Sequence, residues 1–253
     1  MRRYTAPALE KGLDIIELLA RESRPLAMPE IAQHLGRSKS EIFRNLRILE
    51  ERGYLARANG SDQFALTNRL FQMGMRSPPT PNLIEAAYPA MADAARTIDQ
   101  SVHLGVQSRE QMVVVARVEN PGGVVFTVPI GHRGVLSETA SGRVLLAFQR
   151  PEVQQEWIGL VRQALGSRFR AKALRRQLDA IRARGHELCE SAGIAGVTDV
   201  SFPVFDPAGQ AVAAVTTPTI VHLKQPTDLE AVVAAMRAAA ERINGALATP
   251  LTP

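Results

Sequence analysis

The chain has 253 residues, 45% hydrophobic and 22% charged, which suits one large or two ordinary globular domains with a real core and argues against disorder. No run approaches the about 18 consecutive apolar residues of a membrane span, the opening MRRYTAPALEKGL lacks the apolar stretch of a secretory signal, and the single cysteine, Cys189, excludes an internal disulfide and fits a reducing cytoplasm. The net charge of +5 is concentrated in residues 1–76, which hold 13 Lys and Arg against 9 Asp and Glu, and that asymmetry points to nucleic acid as a partner of the first third.

In chain order, ALEKGLDIIELLARE carries Leu9, Leu13, Ile16 and Ala20 at helical spacing. MPEIAQHLG opens with Pro29, suited to a first helical position, and stops at Gly36, suited to a helix end. A short turn later, in GRSKSEIFRNLRILEERGYL, Ser38 and Glu41 fit a capping box, so a helix starts at Ser38 and ends near Gly53. YLARANGSDQFALT then holds two short strands around Asn59-Gly60, a strong hairpin dipeptide. Helix, helix, turn, helix and hairpin is the order of a winged helix-turn-helix, whose latter turn-flanking helix enters a major groove.

The 3.6-residue period gathers Ile42, Leu46 and Leu49 on one side of that helix and Ser40, Arg44 and Arg47 nearly opposite. Lys39 falls in the first turn, where free N–H groups and the positive dipole end favour phosphate. Arginine forks match guanine O6 and N7, whereas Asn45 lies toward the apolar side and is not expected to read a base. Arg57, on the hairpin, and the Arg2-Arg3 arm are placed to touch phosphate or a minor groove. The candidate DNA contacts are therefore Ser38, Lys39, Ser40, Arg44, Arg47 and Arg57. A solvated basic face would look the same on one isolated helix. The preceding helix, the short turn and the hairpin favour a groove.

SPPTPN, residues 77–82, has three prolines in six residues and breaks the pattern. LIEAAYPAMADAARTIDQ is helical, with Leu83, Ala87, Met91 and Ala95 on one face. SVHLGVQ and QMVVVARVE are strands joined at Ser108-Arg109-Glu110, and NPGG turns the chain into VVFTVPIG. SFPVFDPAGQAVAAVTTP is a hairpin around Asp206-Pro207-Ala208-Gly209, and an Ala-rich helix from about Thr227 to Ala246 closes the chain. Strands, hairpins and flanking helices imply an α+β domain with a mainly antiparallel sheet.

The chain resembles the IclR family of transcriptional regulators over nearly its whole length. The match is carried by LEKGLDIIELLA and EIAQHLGRSKSEIFRNLRILEERGYL, including Lys39-Ser40 and the closing LEERGYL. GHRGVLSETASGRVLLAF resembles the family signature, a Gly-x-Arg loop leading to Thr-Ala-x-Gly-Lys at a helix start, with Arg143 in place of the lysine. GHELCESAGIAGVTDVSFPVFDPAGQAVAAV resembles the other half of the pocket. There Cys189, Glu190, Ser191 and Ala192 replace an acidic cluster, Asp199 replaces a small residue, and Thr216-Thr217-Pro218 replaces Ser-x-Ser. The resemblance implies a winged helix-turn-helix over 1–76, a linker and helix over 77–99, and a GAF-like effector-binding and oligomerisation domain over 100–253. It also implies a DNA-binding dimer or tetramer that controls catabolic or stress genes.

A pocket for a small organic acid needs apolar walls and a few convergent donors. Thr139-Ala140-Ser141-Gly142 can present helix N-terminal amides to a carboxylate. Thr139, Ser141 and Thr216 add hydroxyls, Phe126 and Leu136 wall, and Cys189 and Asp199 belong to the second half. The histidines His34, His103, His132, His186 and His222 are scattered without metal-ligand spacing, and no nucleophile elbow, P-loop or dinucleotide fingerprint occurs. No catalytic residue, metal or cofactor is expected. The expected function is a cytoplasmic, sequence-specific repressor of a catabolic operon, with a double-stranded DNA operator, a small organic-acid effector and its own copies as partners, and no membrane. The alternative is a ligand-binding or scaffold protein whose helix-turn-helix makes protein contacts only.

Overall fold

The structure, a computed structural model, describes residues 6–22, 24–58, 60–75, 80–120, 122, 125–220 and 228–248. Arg2, Arg3, Asn59, Ser77 to Pro79, Pro121, Gly123 and Thr227, on which sequence expectations fall, lie outside the described residues. The chain divides into two compact units, Met1–Thr80 and Pro81–Pro253.

The first unit runs α1 (Pro7–Glu22), β1 (Leu26–Ala27), α2 (Met28–His34), α3 (Lys39–Glu51), β2 (Leu55–Arg57), β3 (Gln63–Leu66) and α4 (Arg69–Met75). Its sheet has the order β1-β3-β2, antiparallel throughout, with Leu26 opposite Phe64 and Leu55 opposite Leu66. Ile15, Leu18, Leu19, Leu26, Ile31, Ile42, Leu46, Leu55 and Phe64 form its core. Gly36 (φ +61°) and Gly53 (φ +73°) supply the left-handed turns that stop α2 and follow α3, and Gly60 (φ +74°) turns the hairpin. On α1 the buried stripe is Ile15, Leu18 and Leu19, whereas Leu9 and Leu13 are 63% and 49% exposed. The helix has two apolar stripes, and the one singled out by spacing faces outward.

The second unit begins with α5 (Thr80–Ile98), β4 (Val102–Ser108), β5 (Gln111–Val118), β6 (Arg133–Val135) and α6 (Ala140–Ala147). It continues with α7 (Pro151–Leu165), a 3-10 turn (Gly166–Arg168), α8 (Ala171–Arg184), β7 (Glu187–Glu190), β8 (Val197–Phe205), β9 (Ala211–Ile220) and α9 (Leu229–Ala248). The six-stranded sheet has the order β6-β5-β4-β9-β8-β7, each neighbouring pair antiparallel. Helices cover both of its faces. Leu83, Ala87, Met91 and Ala95 of α5 and Met236 and Ile243 of α9 pack with Leu104, Phe202 and Val215. Val144 and Leu145 of α6, Val161 of α7 and Leu178 and Ile181 of α8 pack with Met112, Val114 and Ala214. On β9, Ala213 and Val215 join the first cluster and Ala214 the second, the two-residue period of a strand buried on both sides.

The β8–β9 hairpin turns where its sequence says. Asp206 N–H donates to Gln210 O, Gly209 N–H donates to Asp206 O, and Gly209 has φ +75°. The VVFTVPIG stretch is different. Residues 125–129 have no regular structure, and the edge strand forms only at Arg133–Val135. The chain rejoins β5 at Gly131 N–H to Val114 O (2.8 Å) and Val114 N–H to His132 O (3.0 Å). The arch over 125–129 leaves Phe126 and Thr127 free to line a cavity. Within the first unit, α4 (Arg69–Met75) follows the hairpin, ahead of the segment expected as a linker from residue 77. In that segment, α5 contributes its buried face to the core of the second unit.

Candidate functional site

Two places carry polar side chains in an arrangement with chemical meaning: the outward face of α3 and a cavity in the second unit. Helix α3 starts at its N-cap, Ser38, whose backbone is extended (φ −72°, ψ 152°). The Glu41 carboxylate accepts the Ser38 N–H at 3.0 Å and the Ser38 hydroxyl at 2.8 Å, and Lys11 of α1 reaches it at 3.1 Å. The Ser38 amide, Lys11 and the Ser38 hydroxyl together push the Glu41 carboxyl down to about 2. Ser38 is thereby committed to starting the helix, and its hydroxyl also lies 3.1 Å from that of Ser40.

Ile42 and Leu46 are fully buried, and they lock the roll of α3 about its axis. That leaves Lys39, Ser40, Phe43, Arg44, Arg47 and Ile48 facing out. Arg44 and Lys39 make no ion pair among the described residues, whereas Arg47 reaches Glu51 one turn on at 3.1 Å. Asn45 folds back, its side-chain amide donating to Glu41 O at 3.0 Å. Arg57 is engaged within the hairpin region, 3.2 Å from Glu50 and 2.6 Å from Asp62, with its guanidinium 5.0 Å above the Phe64 ring. Phe43 (51% exposed) and Ile48 (44%) were not anticipated on this face. Their signal is that each lies one helical turn from an exposed arginine, Phe43 from Arg47 and Ile48 from Arg44.

The cavity, about 410 Å³, lies where the N-terminus of α6 meets β4, β5, β8 and β9 under the 126–132 arch. Phe126, Thr139, Ala140, Ser141, Asp199 and Thr216, all expected there, line it. Thr139 is the N-cap of α6, its hydroxyl oxygen accepting the Gly142 N–H at 3.1 Å. The amides of Ala140 and Ser141 are among the first-turn N–H groups that no helical carbonyl reaches. Gly142 permits this tight turn: a Cβ there would sit 2.4 Å from Leu136 O. Thr216, only 2% exposed, shares a 2.7 Å hydrogen bond with the Ser201 hydroxyl.

Two expected residues do not line the cavity. Leu136 is fully buried, packed with Met112, Val144 and Leu145 beneath α6, so it supports the helix from the far side. Cys189 is held away by Arg143, whose Nη2 donates to its Sγ at 3.1 Å. Arg143 itself is buried against Glu187 (Nε to Oε2, 2.9 Å), and Arg184 takes the other carboxylate oxygen at 3.1 Å. Burial pushes the Cys189 thiol up to about 11 despite Arg143.

The cavity also has lining residues that the sequence reading did not assign to the effector pocket, among them His103, Thr127, His132 and Glu138. His103 pairs with Thr216 across β4–β9 and is 5% exposed. Burial, with His132 nearby, lowers it to about 4, so its ring is neutral. Asp199 is pushed up to about 6 by burial, against the pull of a Ser191 hydrogen bond and Arg143. The strand alternation in SVHLGVQ puts Val102 and Leu104 on the α5–α9 side, which is the signal that places His103 on the other. Among the described residues no three His, Cys, Asp or Glu side chains come together to hold a metal.

A family profile described as bacterial transcriptional regulator IclR C-terminal matches residues 79–245, and one for the IclR helix-turn-helix domain matches residues 8–58. The HTH-type transcriptional regulator KdgR of Escherichia coli K12 is 29% identical over 239 residues, covering 92% of this chain and 90% of that one. The glycerol operon regulatory protein of Streptomyces griseus is 30% identical over 210 residues, covering 82% of each chain. In fold, the chain superposes with a TM-score of 0.76 on an IclR homolog from Microbacterium hydrocarbonoxydans complexed with 4-hydroxybenzoate, at 21% identity and covering 95% of this chain and 98% of that one. An N-terminal helix-turn-helix followed by an α+β effector domain is thus shared along the chain, and the protein belongs to the IclR family of bacterial transcriptional regulators.

Proposed function

We propose that this regulator is a homodimeric or tetrameric repressor of a catabolic operon, released by a small organic acid bound at the N-terminus of α6. The observation that carries the DNA half is the orientation of α3. Burial of Ile42 and Leu46 turns Lys39, Ser40, Arg44 and Arg47 outward as one row. In this reading Arg44 and Arg47 reach base edges, Lys39 holds a phosphate, and Phe43 and Ile48 meet thymine methyls or sugars. Arg57, already balanced by Glu50 and Asp62, touches the backbone at most. Exposed Leu9 and Leu13 on α1 and exposed Leu70, Phe71 and Met73 on α4 supply apolar surface for a second copy. A two-fold dimer would read half-sites about one helical turn, or a multiple of it, apart. A chromosomal target puts the protein in the cytoplasm, and no helix among the described residues is long and apolar enough to cross a membrane.

For the effector half, the first-turn amides of α6 and the lining hydroxyls suit a carboxylate. The related fold that holds 4-hydroxybenzoate supports the same class of ligand. The test is a mobility-shift titration of the upstream region of the gene and its neighbours with wild type, Arg44→Ala, Arg47→Ala and Lys39→Ala. Each arginine variant is expected to lose about 1–3 kcal/mol of specific binding with relaxed specificity at one position. Lys39→Ala is expected to weaken all sequences alike and to lower the salt slope by about one. A folded Arg44→Ala/Arg47→Ala protein that shifts its operator normally refutes the assignment. The alternative, protein contact only through the apolar Phe43 and Ile48, predicts binding with almost no salt dependence.

A further inference from the structure

We propose that a cleft between α7 and α8 is a ligand site of its own, which takes a small organic phosphate. The phosphoryl group lies among Arg162, Lys172 and Arg175, and the apolar body of the ligand lies along the floor. The cleft holds about 440 Å³ and shares no lining residue with the cavity under the arch, so the inference stands whether or not that cavity binds an acid.

Charge points to it first. Residues 162–184 hold eight Lys and Arg against one Asp, whereas the rest of residues 77–253 hold nine against fifteen Asp and Glu. The nearly neutral total of this part of the chain therefore conceals a strongly basic stretch in acidic surroundings. An exposed helix commonly offsets a cation with an acid one turn away, as Glu51 offsets Arg47 on α3. On α8 that pairing is missing: Lys172 and Arg175 make no ion pair among the described residues, and neither does Arg162 on α7. Like charges set this close repel one another, and a bound anion removes that cost.

Shape turns the charge into a site. Both α7 and α8 lean on α6 and hardly touch each other, which leaves the gap. Its floor is apolar, with Leu174 and Leu178 buried and Ile158 and Phe169 half-buried. A volume of this size over an apolar floor, with a few charged groups at its edge, is that of a small-molecule cleft. The guanidinium of Arg162 lies 5.4 Å above the Phe169 ring, Lys172 follows Phe169 by three residues, and Arg175 is one turn on from Lys172. The three free cations thus gather at the Phe169 end. Farther along α8 the lining charges are Asp179 and Arg182, which offset each other, and Arg182 is held by donating to the carbonyls of Ala147 and Gln149.

The excess charge at one end selects the ligand class. A phosphoryl group carries nearly two negative charges and three acceptor oxygens on one centre, and arginine forks match it in pairs. A monocarboxylate brings one charge to three cations. Gln154 and Gln155, two turns from Arg162 toward the start of α7, offer side-chain amides to a polar edge on the body of the ligand.

The experiment is isothermal titration calorimetry of the full-length protein with phenyl phosphate, adenosine monophosphate, phenol, adenosine and inorganic phosphate. At least one ester is expected to bind about tenfold or more tightly than both its phosphate-free body and inorganic phosphate. Lys172→Gln and Arg175→Gln, both at exposed positions, are each expected to weaken that ester about fivefold. Arg176→Gln removes an exposed cation of α8 that does not line the cleft, and it is expected to leave the affinity within about twofold. The inference is overturned if neither ester gives heat, or if inorganic phosphate binds as tightly as the esters, which would leave the floor without a part. Unchanged affinity in both Lys172→Gln and Arg175→Gln places the ester elsewhere and overturns it too. An Arg176→Gln loss as large as that of Lys172→Gln makes α8 a diffuse surface for polyanions such as DNA, and the cleft is then no site.

Discussion

Removing the carboxylate of Glu187 isolates a charge that the fold has buried. The Arg143 and Glu187 side chains are 9% and 6% exposed, with Nε and Oε2 2.9 Å apart. Without Glu187, the Asp199 carboxylate acts on the Arg143 guanidinium only through space, and the hydrogen-bond partners left to it among the described residues are Ser137 O, at 3.4 Å, and the Cys189 thiol, at 3.1 Å. Neither is charged, because burial holds the thiol protonated up to about pH 11. Breaking a buried pair on one side costs about 3–5 kcal/mol. The lost contact to Arg184, which is 44% exposed, adds no more than about 1 kcal/mol. Glu187→Gln, which keeps the volume and one acceptor, is therefore expected to cost about 3 kcal/mol, and Glu187→Ala somewhat more. Arg143→Met/Glu187→Leu removes both charges and should recover most of the loss, since apolar replacement of a buried pair is often neutral. The reporter is the single tryptophan, Trp157 on α7, which packs against the second-unit core, so urea unfolding followed by its fluorescence reads that unit. An unchanged midpoint for Glu187→Gln, or a double variant as unstable as the two single losses added together, refutes the reasoning.

Three further outcomes follow from residues in and around the cavity. Gly142→Ala gains helix propensity but puts a Cβ 2.4 Å from Leu136 O and 2.6 Å from its Cα. Backbone cannot step aside as a flexible side chain would, so a net loss of about 1–3 kcal/mol is expected by the same fluorescence assay. A variant as stable as wild type would show that α6 can shift freely. Cys189, with its thiol pushed up to about 11, should react with iodoacetamide at pH 8 many times more slowly in the folded protein than in urea. Equal rates would contradict its burial. Asp199 and His103 should give opposite pH dependences. Asp199 is raised from 3.8 to about 6, so the folded state holds the extra proton in that window and this contribution to stability falls as pH rises. His103 is lowered from 6.5 to about 4, so the unfolded state holds the extra proton there and this contribution falls as pH drops. Urea midpoints between pH 4 and 6.5 should consequently fall more steeply on acidification in Asp199→Asn and less steeply in His103→Gln. Identical slopes in the two variants would sink the assignment.

What the sequence reveals about this protein depends on how far apart the determining residues are. Ser38 and Glu41, three residues apart, announce the start of α3, and Asp206 and Gly209 announce the β8–β9 turn, because those hydrogen bonds close within one local loop. Leu83, Ala87, Met91 and Ala95 are legible as one face because helical period alone aligns them, and all are 3% exposed or less. Period does not say which of two apolar stripes meets the core. On α1 the answer, Ile15 with Leu18 and Leu19, comes from Ile42 and Phe64 packing against it in the same cluster. The cavity follows the same rule. Thr139 to Ser141 are readable as a helix start with free amides, the need for an apolar wall adds Phe126, and the family resemblance adds Asp199 and Thr216. Leu136 reads as cavity wall from its place just before α6, whereas it is fully buried in the cluster that α6 helps to build. Cys189 misleads because its orientation is set by an arginine 46 residues away. His103 is hidden for the opposite reason. A histidine in an apolar strand reads as an interruption until helices are known to cover both faces of the sheet, and then its side is the cavity side. The residues that wall the cavity from distant strands are thus less legible than those that start the helix at its edge, because the walls meet by long-range juxtaposition and the helix start is made by local geometry.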